Sequence, residues 1–171
     1  MSQYVRPFNE DGKTFIHRAA DTVLAASEAG EHAIIQPKTS RTNKGKAKPE
    51  VRRVPVPATV AHFVMNLPAS AITFLPCFKG LYAGREELFA PNTATKLPLV
   101  HVHCFAVKSD DDVPKIDICE RVSHELGVEM KLGDPEKENE VSVHCVREVA
   151  PKKSMYCATF RLPAQVAFAS R

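Results

Sequence analysis

No stretch of these 171 residues approaches the roughly 20 consecutive apolar residues that cross a bilayer. The opening Met-Ser-Gln-Tyr-Val-Arg likewise carries no apolar signal core, so the chain reads as neither membrane-spanning nor secreted. Five cysteines are present, an odd number without a single CxxC pair, and no HxxxH spacing occurs. That argues against a disulfide framework and against a cysteine-rich zinc site, which needs three or four converging ligands. The cysteines Cys77, Cys104, Cys119, Cys145 and Cys157 sit mostly in apolar stretches, as buried reduced thiols of an intracellular protein do. No base stands beside an exposed thiol in the pattern of a nucleophilic Cys/His pair, and no internal repeat is visible.

What is present suits one globular domain. The composition, 44% hydrophobic and 25% charged, supports a core of ordinary size. A formal net charge of +3 is too small to identify a partner. Tyr4 to Phe8 reads as a short strand closed by a turn at Asn9-Glu10-Asp11-Gly12. Apolar positions at Phe15, Ile16, Ala19, Ala20, Val23 and Leu24 then make a helical stripe over 13–29, ended by Gly30. A strand follows at 60–66, then a helix over about 69–82 that Pro76 kinks or shortens. Residues 99–107 form a continuous apolar strand. Asp110-Asp111-Asp112 introduces a helix with Pro114 in its first turn, and Gly127 closes it. Val141–Val149 and Met155–Leu162 alternate as two strands of a hairpin turned at 150–154.

Between these elements, Lys38, Arg41, Lys44, Lys46, Lys48, Arg52 and Arg53 face a single acid, Glu50, without periodic apolar positions. This reads as a solvated basic loop inserted over about 38–57, a candidate contact for RNA phosphates. His101 and His103 share one face of their strand with Cys104 on the other, and His144 and Cys145 are opposed in the same way. A structural place in the sheet accounts for them, and no metal is expected.

Chemistry concentrates in residues 60–81. The run Val60 to Met65 delivers Asn66-Leu67-Pro68 to the carboxyl end of a strand, where open α/β sheets bind their ligands. An asparagine amide there can donate and accept hydrogen bonds along the edge of a flat heterocycle, and Pro68 is rigid and offers an apolar face. A strand-ending proline behind a helix-capping asparagine is the plainer account of such a turn taken alone.

Four blocks stand in order: Asn66-Leu67-Pro68-Ala69-Ser70-Ala71; Phe74-Leu75; Leu97-Pro98-Leu99-Val100-His101-Val102-His103-Cys104-Phe105; and Val146-Arg147-Glu148-Val149-Ala150-Pro151-Lys152-Lys153-Ser154-Met155-Tyr156-Cys157. Together they resemble the archaeal and eukaryotic tRNA (guanine37-N1)-methyltransferases, over nearly the whole chain apart from the basic stretch. Asn66-Leu67-Pro68 matches the Asn-X-Pro motif of class I methyltransferases that modify a ring or amide nitrogen.

The resemblance implies an α/β, Rossmann-like class I methyltransferase sheet, here its carboxyl-terminal part with a closing antiparallel hairpin. The cofactor-binding first strands, with their Gly-rich turn, are expected outside these residues, so the chain reads as a partial catalytic domain, 1–171. It further implies S-adenosylmethionine as cofactor and tRNA as partner, with cofactor contacts at Asp11, Gly12 and Asn66. Asn66, Pro68 and Arg147 would position the target base, with the Pro151-Lys152-Lys153 turn near the substrate. Asp11 has a plainer reading, as the cap of the following helix. Lys13 stands where many members have arginine, and it lacks that residue's planar fork. The family's proton-removing and oxygen-stabilising groups lie upstream, so no catalytic residue is assigned within this chain. A monomer in cytoplasm, nucleus or mitochondrial matrix is implied too. The alternatives are a wybutosine-pathway aminocarboxypropyl transferase and a non-catalytic RNA-binding or partner-stabilising module.

Overall fold

A computed structural model describes residues 5–35 and 51–170. The chain opens with helix α1, Gly12–Glu28, after an extended segment that pairs with no strand among the described residues. The strand expected at 4–8 is therefore absent over its described part, residues 5–8. Phe8 instead packs on Phe15 with ring centroids 5.1 Å apart, and Arg6 forms an ion pair with Glu31, which ties the segment to α1 and its exit.

Strands β1, His32–Ile35, and β2, Arg52–Pro55, form a small antiparallel hairpin, with Ile34 opposite Arg53 and Ile35 opposite Arg52. This corrects the basic-loop reading at its end. Arg52 and Arg53 belong to a strand, because their backbone groups find partners in residues that the basic composition had hidden. Lys38, Arg41, Lys44, Lys46 and Lys48 lie outside the described residues.

The principal sheet has five strands: β3, His62–Met65; β4, Leu99–Val107; β5, Lys131–Leu132; β6, Glu140–Ala150; and β7, Lys153–Arg161. Their order is β3-β4-β7-β6-β5. The outer pairs, β3 with β4 and β5 with β6, are parallel, while β7 runs antiparallel to both β4 and β6. The fold is thus mixed α/β, with a mixed sheet and an antiparallel hairpin.

Strand β4 alternates as its sequence requires. Val100, Val102 and Cys104 are buried, while Leu99, His101 and His103 are only half-buried. The buried face packs under helix α2, Val113–Leu126, and a 3-10 helix, Ala71–Phe78. Pro114 enters the first turn of α2, where its missing N–H costs nothing, and Gly127 ends the helix at φ 67°, a left-handed turn that a side chain resists. A short helix α3, Ala164–Ala167, follows β7.

The segment expected as an α-helix over 69–82 is this 3-10 helix. Pro76 has no N–H to give an α-helical bond and would crowd the carbonyl of Ile72, so the chain closes i to i+3 bonds instead, as from the Lys79 amide to the Pro76 carbonyl at 3.2 Å. Leu75 and Phe78 are wholly buried, so tertiary packing stabilises an eight-residue run that is rarely seen in isolation. A second reading also changes. Cys145 is exposed, because the β6–β7 arm extends past the helices; Cys104 and Cys119 are buried, and all five cysteines are free thiols. None of the described helices is long and apolar enough to cross a membrane.

Candidate functional site

Strand β3 ends at Met65, and the chain turns at once. The Leu67 carbonyl accepts from the amides of Ser70 at 2.9 Å and Ala71 at 2.8 Å, folding residues 67–71 into a tight entry to the 3-10 helix. Pro68 is half-buried in this turn. Asn66 is exposed, continues the outward alternation of His62 and Val64, and its side-chain amide has no hydrogen-bond partner among the described residues. It does not cap the helix that follows: the 3-10 helix has Ser70 at its N-cap, with no side-chain capping bond.

Asp11 and Gly12 come from a remote part of the chain to Phe74, in the 3-10 helix that follows this turn. A Cβ placed on Gly12 would lie 3.1 Å from the Phe74 ring, so the glycine allows α1 to start hard against the 3-10 helix. Lys13 holds its ammonium 5.5 Å from the centre of the same ring. Asp11 caps α1: its Oδ1 accepts from the amides of Lys13 at 2.8 Å and Thr14 at 3.3 Å. Its second carboxylate oxygen makes no hydrogen bond among the described residues.

Arg147 is exposed on β6, in register with Met155 of β7 and, through it, Phe105 of β4. Three strand spacings and two residues of rise separate it from Asn66, roughly 15 Å. The turn residues Pro151, Lys152 and Lys153 are exposed beside it.

The outward face of the sheet carries a histidine contact that periodicity could not show. His62 Nδ1 lies 3.0 Å from His101 Nε2, the rings stack 5.3 Å apart, and His101 Nδ1 lies 3.0 Å from Thr159 Oγ1. Burial first, then the neighbouring His62 and His103, push the His101 pKa down, so this imidazole favours its neutral form. The pair arises from parallel register between strands 39 residues apart, a relation that only the folded sheet reveals. Among the described residues, no three His, Cys, Asp or Glu side chains converge as a metal ion would require.

Two of the cavities among the described residues lie at opposite ends of β4. One of about 210 Å³ lies near the carboxyl end of β4, between Lys108, Asp111, Lys115, Cys145 and Tyr156. Another of about 290 Å³ opens at the opposite end, between Phe89, Lys96, Glu136, Arg161 and Phe168. In the latter, Glu136 accepts from Arg161 at 2.6 Å and from Lys96 at 2.9 Å, and these bonds hold its carboxyl down to about 2. That cluster pairs its charges internally and pins two loops together, while the Arg161 Nε stays buried without a hydrogen-bond partner.

No family model matches the chain, and no solved structure does. Curated relatives do. A Neurospora crassa protein named tRNA (guanine(37)-N(1))-methyltransferase is 58% identical over all of this chain, which spans 36% of that protein's length. A Fusarium vanettenii protein of the same name is 57% identical over 99% of the chain and 36% of its own length. A Schizosaccharomyces pombe protein of that name is 40% identical, again over 99% of the chain and 36% of its length. These matches cover all or nearly all of the chain at 40–58% identity, so the chain belongs to the family of proteins named tRNA (guanine(37)-N(1))-methyltransferase, as the counterpart of about 36% of a member's length.

Proposed function

We propose that these residues form the target-base side of an S-adenosylmethionine-dependent tRNA (guanine37-N1)-methyltransferase, on a Rossmann-like class I sheet. The order β3-β4-β7-β6, with its antiparallel closing hairpin, supports that architecture. The observation that carries the site is the unpartnered Asn66 amide, exposed at the carboxyl end of β3 beside the rigid Pro68. One amide supplies both a donor and an acceptor. Its N–H can hold the guanine carbonyl oxygen, where negative charge develops as N1 loses its proton, and its oxygen can hold a neighbouring N–H. Pro68 offers the ring an apolar wall.

The cofactor would supply the methyl group. The described residues fit its adenine end: Asp11 has one carboxylate oxygen to spare for an exocyclic amine, and the half-buried Phe74 ring lies beside Gly12. Capping and cofactor contact are compatible, because the cap occupies only Oδ1. With the cofactor's adenine at the Asp11–Phe74 corner and the target base at Asn66, each reactant would be oriented by its own groups, and such pre-positioning is a large part of methyl-transfer catalysis.

Asn66→Ala tests this reading in the longest natural polypeptide that contains the chain. The lost hydrogen bond is worth about 0.5–1.5 kcal/mol, more if the base keeps an unpaired group. Because the loss falls on alignment, single-turnover methylation of guanine-37 tRNA should drop further than tRNA affinity does. An unchanged methylation rate would leave Asn66 as an ordinary turn residue.

A further inference from the structure

From His144 through Lys153 every residue is exposed, so β6 and β7 end in an arm that projects beyond the packed sheet. Its register breaks twice, between Cys145 and Arg147 and between Glu148 and Ala150. Such bulges twist a strand pair and re-aim its side chains. The Lys108 amide donates to the Lys152 carbonyl at 3.1 Å, anchoring the turn to the chain leaving β4.

Charge is sorted across this arm. On the face towards α2, Glu148 stands opposite the buried Ser154 and pairs with Lys108 at 2.6 Å, close to Asp110 and Asp111. On the other face, Arg147 shares a register with Phe105, and Lys153 holds its ammonium 4.0 Å from the centre of the Phe105 ring. Arg147, Lys152 and Lys153 make no ion pair among the described residues, whereas eight other cations, Arg161 and Lys115 among them, are each matched to a carboxylate. Elsewhere the unmatched described cations stand singly, as Lys13, Lys79, Lys131 and Lys137 do, or as the pair Arg52 and Arg53, so the arm is where three gather. Three unmatched cations on one exposed arm, with Glu148 engaged by Lys108 and Asp111 by Ser109 on its far side, leave a positive ridge at the same end of the sheet as Asn66.

The geometry points to the β6–β7 arm as a clamp on the ribose-phosphate backbone of RNA. It rests on the tRNA reading above and adds to it a site for phosphates rather than for the target base. Arg147 lies roughly 15 Å from Asn66, too far to touch the same ring edge and suited to a neighbouring nucleotide. Lys153 is pre-positioned by the aromatic ring beneath it, so less side-chain freedom is lost when it meets a phosphate. The contacts carry no sequence information; they fix register on the strand.

The test is the salt dependence of binding between the full chain and a fluorescently labelled, unmodified tRNA transcript. Each phosphate contact on single-stranded RNA contributes about 0.7 to the slope of log K against log salt, so three make about 2. The triple variant Arg147→Gln, Lys152→Gln, Lys153→Gln should flatten the slope by about that amount. The charge-preserving triple Arg147→Lys, Lys152→Arg, Lys153→Arg should restore it, which a structural role would not do. Asn66→Ala should leave the slope unchanged. A triple glutamine variant with the wild-type slope and an unchanged melting temperature overturns the clamp alone. Wild-type chain with no salt-dependent affinity for tRNA overturns both the clamp and the tRNA reading. Equal competition by polyglutamate, lost in the glutamine variant, would reassign the ridge to an acidic protein and overturn the RNA assignment.

Discussion

Asp11 is where two accounts of one residue can be separated by measurement. Its Oδ1 accepts from two amides at the start of α1, satisfying donors that no intrahelical carbonyl can reach. Replacement by Ala leaves them to water, at a cost of about 1 kcal/mol within a range of about 0.5–2 kcal/mol. No acidic residue stands in the first turn of α1, so Asp11 also supplies the only charge there that complements the helix dipole. At an exposed site that adds roughly 0.3 kcal/mol, near the lower end of its range. Asp11→Asn keeps the capping oxygen and loses only the charge, so its loss should be about a quarter of the alanine variant's. Urea unfolding followed by far-UV circular dichroism resolves the two, and in a domain of this size a 1 kcal/mol loss lowers Tm by about 2–4 °C. Equal destabilisation by Ala and Asn would refute the capping argument. The cofactor role is read separately, since Asp11→Asn in a cofactor-binding polypeptide should weaken S-adenosylmethionine while stability stays nearly intact.

Phe78 is wholly buried in the 3-10 helix, its ring meeting Phe63 edge-on at 5.0 Å, so Phe78→Ala should cost about 3–5 kcal/mol by equilibrium unfolding. A loss under about 1 kcal/mol would mean that this helix does not anchor the Asn66 turn. Glu136 has a folded-state pKa of about 2, set by its hydrogen bonds to Arg161 and Lys96 and lying below the roughly 4.3 of an unfolded chain. Its stabilisation is therefore fully present above the unfolded value and fades as pH falls from there towards 2. Stability measured across that acid window should decline less steeply in Glu136→Gln than in the wild type, and identical slopes would remove the ion pair from the account.

Local pattern carried much of this fold. β4 runs from Leu99 to Val107 as its apolar alternation demands, α1 ends just before Gly30, α2 ends at Gly127, and the β6–β7 hairpin turns where Pro151 interrupts it. Each depends on residues near in sequence. The misses depend on partners far away. Arg52 and Arg53 look like loop residues until Ile34 and Ile35 supply the opposite strand. The 3-10 helix has the composition of an α-helix, and Pro76 together with burial on several sides decides otherwise. The His62–His101 contact exists only because parallel pairing sets Val64 beside His101.

The same distinction explains which site residues were legible. Asn66-Leu67-Pro68 is a local signal, and its turn could be read from its own residues. Its meaning changes once the sheet is assembled, because the alternation that leaves Val64 exposed also aims Asn66 at the face where Phe105 and Lys153 lie. In sequence Arg147 looked like a second base-positioning residue beside Asn66. Strand order sets it three strands away, beside two lysines and opposite the acids. A residue type and a motif identified the chemistry available here, a hydrogen-bonding amide and a set of cations. Only the register shows that these groups stand three strands apart on one face of the sheet.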